Sequence, residues 1–258
     1  MRLAVVGASG RMGRAVVRLA LAGGAELVCA VGATDVGRDA GELAGAGACG
    51  TCVVDALAAL EHARAEVVVD FSAPGAVLAL APMAVAAGSA LVSGTTGLGE
   101  DVRRALDLAA QRVPVLWEPN MSLGVHVLTE LVSRAAAALA EWDVEIVEAH
   151  HRAKVDSPSG TALRLAETAQ HARTGTTRLV HGRHGASGPR SPEEIGVHAL
   201  RGGDVVGDHT VHLLGGGERL ELVHRATSRD VFAHGALRAS RWIVGRPAGR
   251  YTLRDVLA

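Results

Sequence analysis

Leu3-Ala4-Val5-Val6-Gly7-Ala8-Ser9-Gly10-Arg11-Met12-Gly13 stands at the start of the chain, and its order of residue types decides the fold. The apolar run 3–7 has the length and composition of a buried strand, and residues 11–22 carry Val16, Leu19 and Ala20 at helical spacing on one face. Gly7 permits a tight turn after the strand, and Gly10 lets backbone approach a pyrophosphate. Gly13 allows close packing of helix on strand, and the helix N-terminus offers amide donors and a positive dipole. An ordinary glycine-rich turn carries glycines too, but their place between an N-terminal strand and an amphipathic helix favours a dinucleotide.

Outward from this unit the alternation continues. Strands are expected over 26–31, 66–71, 90–93 and 113–117, with a short one over 51–54. Helices are expected near 56–62, from Pro74, and over 99–112. Strands such as Val67-Val68-Val69 are continuously apolar, as burial on both faces requires. This implies an α/β fold, a doubly wound parallel sheet of Rossmann type. Pro82 inside a helical pattern is expected to kink or restart that helix.

After Asn120 the rhythm changes to a long helix over 122–140, a strand over 144–149, a polar loop and a helix starting near Ser159. Strands over 195–201, 209–214 and 219–226 follow, so the second domain is expected to be α+β with an open antiparallel or mixed sheet. The Gly-, Thr-, Arg- and Ser-rich stretch 174–192 has the composition of a mobile loop, and a last helix over 231–244 is expected to return to the first domain. The expected division is therefore 1–122 with 231–258 for the dinucleotide, and 123–230 for substrate binding and oligomerisation.

A length of 258 residues suits two modest domains, and 48% hydrophobic against 21% charged residues is the balance of a folded globular chain. A formal net charge of -1 and only 2% aromatic residues remove the field and the stacking surfaces that nucleic-acid binding uses. The start of the chain lacks the apolar core and cleavage site of a secretory signal. The apolar segment 76–92 is broken by Pro82 and by Gly88-Ser89, so no membrane span is expected. Cys29, Cys49 and Cys52 are an odd set that argues against a disulfide framework and for a reducing, cytoplasmic setting. The Cys49-Gly50-Thr51-Cys52 pair lacks a partner pair for zinc and the strand-to-helix placement of a redox motif.

Two further stretches carry chemistry. Ser93-Gly94-Thr95-Thr96-Gly97 follows a strand and so lies on the carboxyl edge where open sheets bind ligands, with two hydroxyls to face a nicotinamide or its ribose; a helix cap before Gly99 is the plainer use. Glu148-Ala149-His150-His151-Arg152-Ala153-Lys154-Val155-Asp156-Ser157-Pro158-Ser159-Gly160-Thr161 joins titratable groups to a helix start. With Ser157 as cap and Pro158 in the first turn, the amides of Ser159, Gly160 and Thr161 would be open to an anion. Period two puts Val144, Ile146, Glu148 and His150 on one strand face, so His150 and His151 point to opposite sides if the strand persists that far. A histidine can hand a proton to a carbanion formed by hydride addition, and a lysine can stabilise developing negative charge. A solvated loop with a capping role is the bland use of these residues, and adjacent histidines on a strand are poor metal chelators. His209, His212, His224 and His234 are taken as structural.

The runs GASGRMGR, DAGELAGAG, VVVDFSAP, GTTG, PNMSLGV, EAHHRAKVDSPSGTAL and RGGDVVGDHT together resemble the 4-hydroxy-tetrahydrodipicolinate reductase (dihydrodipicolinate reductase) family over nearly the whole chain. The resemblance implies an NADH- or NADPH-dependent reduction of a small cyclic dicarboxylate with loss of water, in diaminopimelate and lysine biosynthesis. It makes His150 the proton donor and Lys154 a second donor or charge stabiliser. His151, Ser159, Gly160 and Thr161 would grip the substrate carboxylates. Cofactor contacts would fall on Gly7, Ala8, Ser9, Gly10, Arg11 and Met12, on Gly94, Thr95 and Thr96, and on Glu118, Pro119, Asn120 and Met121. It also implies a homotetramer built through the second domain's sheet; no metal is expected from the residues themselves.

The chain departs from the family where Val31 is followed by Gly32-Ala33-Thr34 instead of an acidic residue that reads the adenosine ribose; Asp35 or Arg38 is then the candidate substitute. Glu118 stands where a small residue is usual. A different Rossmann reductase of an amino-acid precursor would share the glycine turn without reason to combine His150, Lys154 and the anion site. A non-catalytic nicotinamide sensor would tolerate loss of both side chains.

Overall fold

The computed structural model describes all 258 residues. The chain divides into two compact units, Met1–Leu123 with Asp230–Ala258, and Gly124–Arg229. In the first stretch β1 (Arg2–Val6), α1 (Arg11–Ala22), β2 (Glu26–Val31), α2 (Ala40–Ala44) and β3 (Val53–Val54) follow one another. Then come a 3-10 turn at Leu57–Ala59, α3 (Leu60–Ala63), β4 (Val67–Asp70), α4 (Pro74–Ala87), β5 (Ala90–Ser93), α5 (Glu100–Ala109) and β6 (Pro114–Trp117). The second unit holds α6 (Leu123–Ala138) from its second residue on, β7 (Asp143–His150), α7 (Gly160–Ala172), β8 (Arg178–Val180), β9 (Glu194–Arg201), β10 (Gly207–Leu214) and β11 (Arg219–Ala226). The chain then returns as α8 (Asp230–Ile243), β12 (Gly249–Tyr251) and α9 (Leu253–Leu257).

The first unit is built on a seven-stranded sheet in the order β12-β6-β5-β4-β1-β2-β3, with every pairing parallel. Strand order reverses at β1, which lies between β2 and β4, so the turn after Val6 sits at the switch point where such sheets bind ligands. Val5, Val16, Val17, Leu237 and Ile243 belong to the core on one face, under α1 and α8; Val6, Val68, Leu80, Leu91 and Leu106 belong to the core on the other, under α4 and α5. The central strands β1, β4 and β5 are apolar over most of their length because helices cover the sheet on both faces. The sheet gains β12, paired with β6 through Gly249, Arg250 and Tyr251, which the sequence left as an unassigned tail. Pro82 lies inside a helix that runs unbroken from Pro74 to Ala87, contrary to the expected restart.

Asp39 shapes the segment after β2. Its carboxylate caps α2 by accepting from the amides of Gly41 and Glu42, and it also accepts from Cys49 and Gly50. Those amide donors hold the Asp39 carboxyl down at about 2. The Cys-x-x-Cys pair therefore belongs to a loop tied by a carboxylate, and its thiols are free.

The second unit is a five-stranded mixed sheet, order β11-β10-β7-β9-β8, antiparallel on the β10 side of β7 and parallel on the β9 side. Strict alternation along β7 puts Val144 and Ile146 under α6 and α7, in a core with Leu128, Val132, Leu165, Val197 and Val211. Residues 174–192 are not the bare loop their composition suggested. They contain β8, paired with β9, and they are anchored by Arg183 and Arg190. Arg183 bonds Glu145 at 3.0 and 3.1 Å and Glu194 at 2.9 Å; Arg190 bonds Glu145 at 2.9 Å and Asp143 at 2.6 Å. Burial pushes the Glu145 carboxyl up, but Arg183, His198 and Arg190 outweigh it and bring it to about 2.

Candidate active site

In the first unit the site grows from the turn between β1 and α1. Gly7 has φ +81, and an added Cβ would stand 2.3 Å from the Phe71 carbonyl oxygen; one on Gly13 would stand 2.0 Å from the Gly7 oxygen. Both positions thus require glycine, the first for conformation as well as space. The amides of Gly7 and Ala8 donate to the Val31 carbonyl and that of Gly10 to Gly7, which closes the turn. Gly10 caps α1 with no side-chain hydrogen bond, so the first amides of this helix have no capping side chain. That is the arrangement a pyrophosphate takes up, and it fits a dinucleotide. Gly10 and Arg11 are exposed at the tip, whereas Ala8 is buried beneath it.

Asp70, at the end of β4, organises the neighbouring edge. It is fully buried and accepts from the hydroxyls of Ser72, Ser93 (2.6 Å) and Thr95 (2.7 Å). Burial pushes its carboxyl up from the ordinary value, against the pull of those hydroxyls. The expected outward hydroxyl of Thr95 is therefore turned inward to Asp70, and its carbonyl accepts from the Trp117 indole at 2.9 Å. Thr96 is exposed, and Gly94 lies buried against the Phe71 ring. Beyond β6, the Glu118 amide donates to the Ser93 carbonyl and its side chain is buried; Pro119 is exposed, and Asn120 accepts from the Ser122 amide. The Met121 side chain is in the core, and its carbonyl packs against Gly235.

In the second unit the alternation of β7 delivers Glu148 and His150 to the same buried face as Val144 and Ile146. His150 Nδ1 lies 2.6 Å from Glu148 Oε2, and Arg201 from β9 donates both Nη atoms to the same carboxylate at 2.7 Å each. The Ser159 amide donates to Glu148 Oε1 at 2.9 Å. Burial pushes the Glu148 carboxyl up, but Arg201, His150 and that amide together hold it below its ordinary value.

Ser159 is the cap of α7, its hydroxyl accepting from the Ala162 amide at 3.2 Å, which corrects the assignment of Ser157. The cap falls on Ser159 because Pro158 precedes the helix rather than opening it. The Ser159 amide is thereby engaged by Glu148 and not open to an anion, and its hydroxyl sits 3.2 Å from His209 Nε2. His209 is a second correction. It is buried, its ring meets His150 edge-on at 5.3 Å between centroids, and its Nδ1 has no partner. Burial, reinforced by His150, lowers its pKa to about 4, so it is neutral near pH 7. Pairing of β10 with β7 brings it here, a contact that sequence spacing does not display.

His151 lies just past the end of β7, with Nε2 3.2 Å from Arg229 Nη2. Lys154 bonds Asp156 at 2.8 and 3.0 Å, and Gly160 is exposed at the start of α7 beside Thr161. No group of three or more His, Cys, Asp or Glu side chains is arranged to hold a metal. Glu148, Arg201 and His209 are the members of this cluster to which the sequence assigned no role. The period-two face had already placed Glu148 beside His150.

A Rossmann unit with an uncapped glycine turn, joined to a unit that sets a carboxylate-held histidine beside a helix start, defines a nicotinamide-dependent oxidoreductase acting on a small anion. Residues 1–121 match the family model for the N-terminus of dihydrodipicolinate reductase and residues 124–257 the model for its C-terminus. The 4-hydroxy-tetrahydrodipicolinate reductase of Anaeromyxobacter dehalogenans is 48% identical over 266 residues, covering 99% of this chain and 97% of that one. That of Archaeoglobus fulgidus is 48% identical over all of both chains. The dipicolinate-bound dihydrodipicolinate reductase of Paenisporosarcina sp. TG-14 shares the fold, with a TM-score of 0.80 at 24% identity over 98% of this chain and 97% of that one. The chain belongs to the dihydrodipicolinate reductase family, and its reaction is the nicotinamide-dependent reduction of 4-hydroxy-tetrahydrodipicolinate to tetrahydrodipicolinate with loss of water.

Proposed function

We propose that His150 donates the proton that this reduction requires and that Lys154 stabilises the negative charge developing on the substrate. The cofactor, NADH or NADPH, lies along Gly7, Ala8, Ser9, Gly10, Arg11 and Met12 and against Gly94, Thr95, Thr96, Glu118, Pro119, Asn120 and Met121. When bound, its nicotinamide supplies the hydride. His151 holds a substrate carboxylate together with the backbone of Gly160 and Thr161, and Ser159 fixes the helix start from which they act. The observation that carries this reading is the setting of His150. Its Nδ1 is occupied by a buried carboxylate, while its Nε2 faces the place where a Cβ on Gly207 would stand, 3.0 Å away. The ring is thus oriented with one nitrogen held and the other presented. Lys154 is paired with the exposed side chain of Asp156, a partner that a substrate carboxylate can replace charge for charge.

The second sheet carries its helices on one face only. The opposite face presents Val147, Thr210 and His212 with exposed Leu200 and Val223, and it supports assembly of four chains through this unit. Three unpaired cysteines support a reducing compartment, the cytoplasm.

The test follows NADH and NADPH oxidation separately with freshly condensed pyruvate and aspartate semialdehyde. The parent chain is expected to turn over, and His150→Asn and Lys154→Ala to lower kcat roughly 100- to 10,000-fold with cofactor affinity unchanged. Parent-like turnover in both variants overturns the assignment.

A further inference from the structure

Glu148 is the most heavily engaged side chain of the second unit's site, and none of the roles above uses it. Its side chain is fully buried, and four donors converge on its two oxygens. Oε1 takes the Ser159 amide at 2.9 Å and Arg201 Nη2 at 2.7 Å; Oε2 takes Arg201 Nη1 at 2.7 Å and His150 Nδ1 at 2.6 Å. Arg201 is itself held by the carbonyls of Leu200 and Asp156, at 2.6 and 2.7 Å. The carboxylate therefore has no rotational freedom, and three of its donors come from outside its own strand.

We infer that Glu148 is the positioning residue of the reduction: clamped by Arg201 and the Ser159 amide, it keeps the proton of His150 on Nδ1 and aims Nε2 at the substrate. This rests on the reading of His150 as proton donor. A ring in that role carries protons on both nitrogens before transfer and must give up the one on Nε2. A carboxylate on Nδ1 stabilises the doubly protonated ring and keeps the Nδ1 proton in place as the Nε2–H bond breaks. The substrate carbanion gains that proton, and His150 is left neutral with Nδ1–H still donated to Glu148. Gly207 completes the device by leaving open the space at Nε2 that a side chain would fill. The groups facing the ring are Glu148 on its own strand, Arg201 behind that carboxylate on β9, and His209 on β10, whose neutrality avoids a second positive charge beside His150.

The test is a double-mutant cycle of Glu148→Gln with His150→Asn, read in kcat, KM for substrate, cofactor affinity and the pH dependence of kcat. Glu148→Gln is expected to lower kcat roughly 100-fold with KM changed less than threefold, and to move the alkaline limb of its pH profile toward lower pH. In the His150→Asn background the same change is expected to have no further effect on kcat. Equal losses in both backgrounds, or an unmoved pH profile, overturn the inference while leaving His150 as donor. Unimpaired His150→Asn overturns the donor assignment itself. If Glu148→Gln does not fold, Glu148→Asp keeps the charge, draws it back by one methylene and enters the same cycle with the same expected coupling. A Glu148→Asp enzyme with parent kcat overturns the inference.

Discussion

Asp35 bears on the choice between cofactors that the glycine motif leaves open. It follows β2 at φ +59, and its two oxygens meet Arg14 at 2.8 Å and Arg38 at 3.0 Å. A carboxylate suits the two hydroxyls of a bare ribose, and the guanidinia suit a 2′-phosphate; this cluster holds both, with an excess of positive charge. The chain is therefore expected to accept NADH and NADPH. Arg38→Ala should weaken NADPH about tenfold more than NADH, and Asp35→Ala should weaken NADH more, in fluorescence titrations of each cofactor. Equal losses for both cofactors would remove the assignment. The sequence narrowed the choice to Asp35 or Arg38 but could not show that they act as a pair with Arg14, since that depends on where α1 puts its side chains. The Thr95 hydroxyl differs from expectation for a similar reason: it faces Asp70, and nothing in Gly94-Thr95-Thr96 announces a buried carboxylate from another strand.

At the scale of elements, the packing of β7, β10 and α7 traps His209 between His150 and the Ser159 cap. Its folded pKa of about 4 lies below the ordinary 6.5, so between these values the unfolded chain takes up a proton that the folded one refuses. Stability should fall as pH is lowered through that window, and Glu145, held at about 2 against an ordinary 4.5, extends the loss further into acid. His209→Gln should flatten the fall in Tm between pH 6.5 and 4, because the titrating group is gone. A variant with the parent's slope would show that His209 is not the group responsible. The longer strands and helices were legible, since burial on one or two faces writes its period directly into the chain, whereas the five-residue α2 and α9 were not. What could not be read was which strands pair. His209 was taken as structural because its neighbours come from β7, some sixty positions earlier, across a register that only the folded sheet reveals. The short β8 and β12 escaped for a different reason, each being three residues long and carrying too little periodicity to register.

For the whole molecule, the uncovered face of the second sheet makes a concrete demand. Sedimentation equilibrium at micromolar concentration should give a mass about four times the 26.4 kDa of one chain. Leu200→Arg, which puts a charge on that face, should lower it; a 26.4 kDa parent would remove the proposed assembly. No helix is long and apolar enough to cross a membrane.

The return of the chain after Arg229 also bears on synthesis. A ribosome releases the whole of residues 124–229 before Ala233, Leu237 and Ile243 emerge to finish the other unit's interior. A polypeptide ending at Arg229 would leave β6 with a bare hydrogen-bonding edge and α1 without the apolar residues of α8. The inserted segment has an interior of its own, whereas the nucleotide-binding half lacks part of its interior until residues 230–258 are in place.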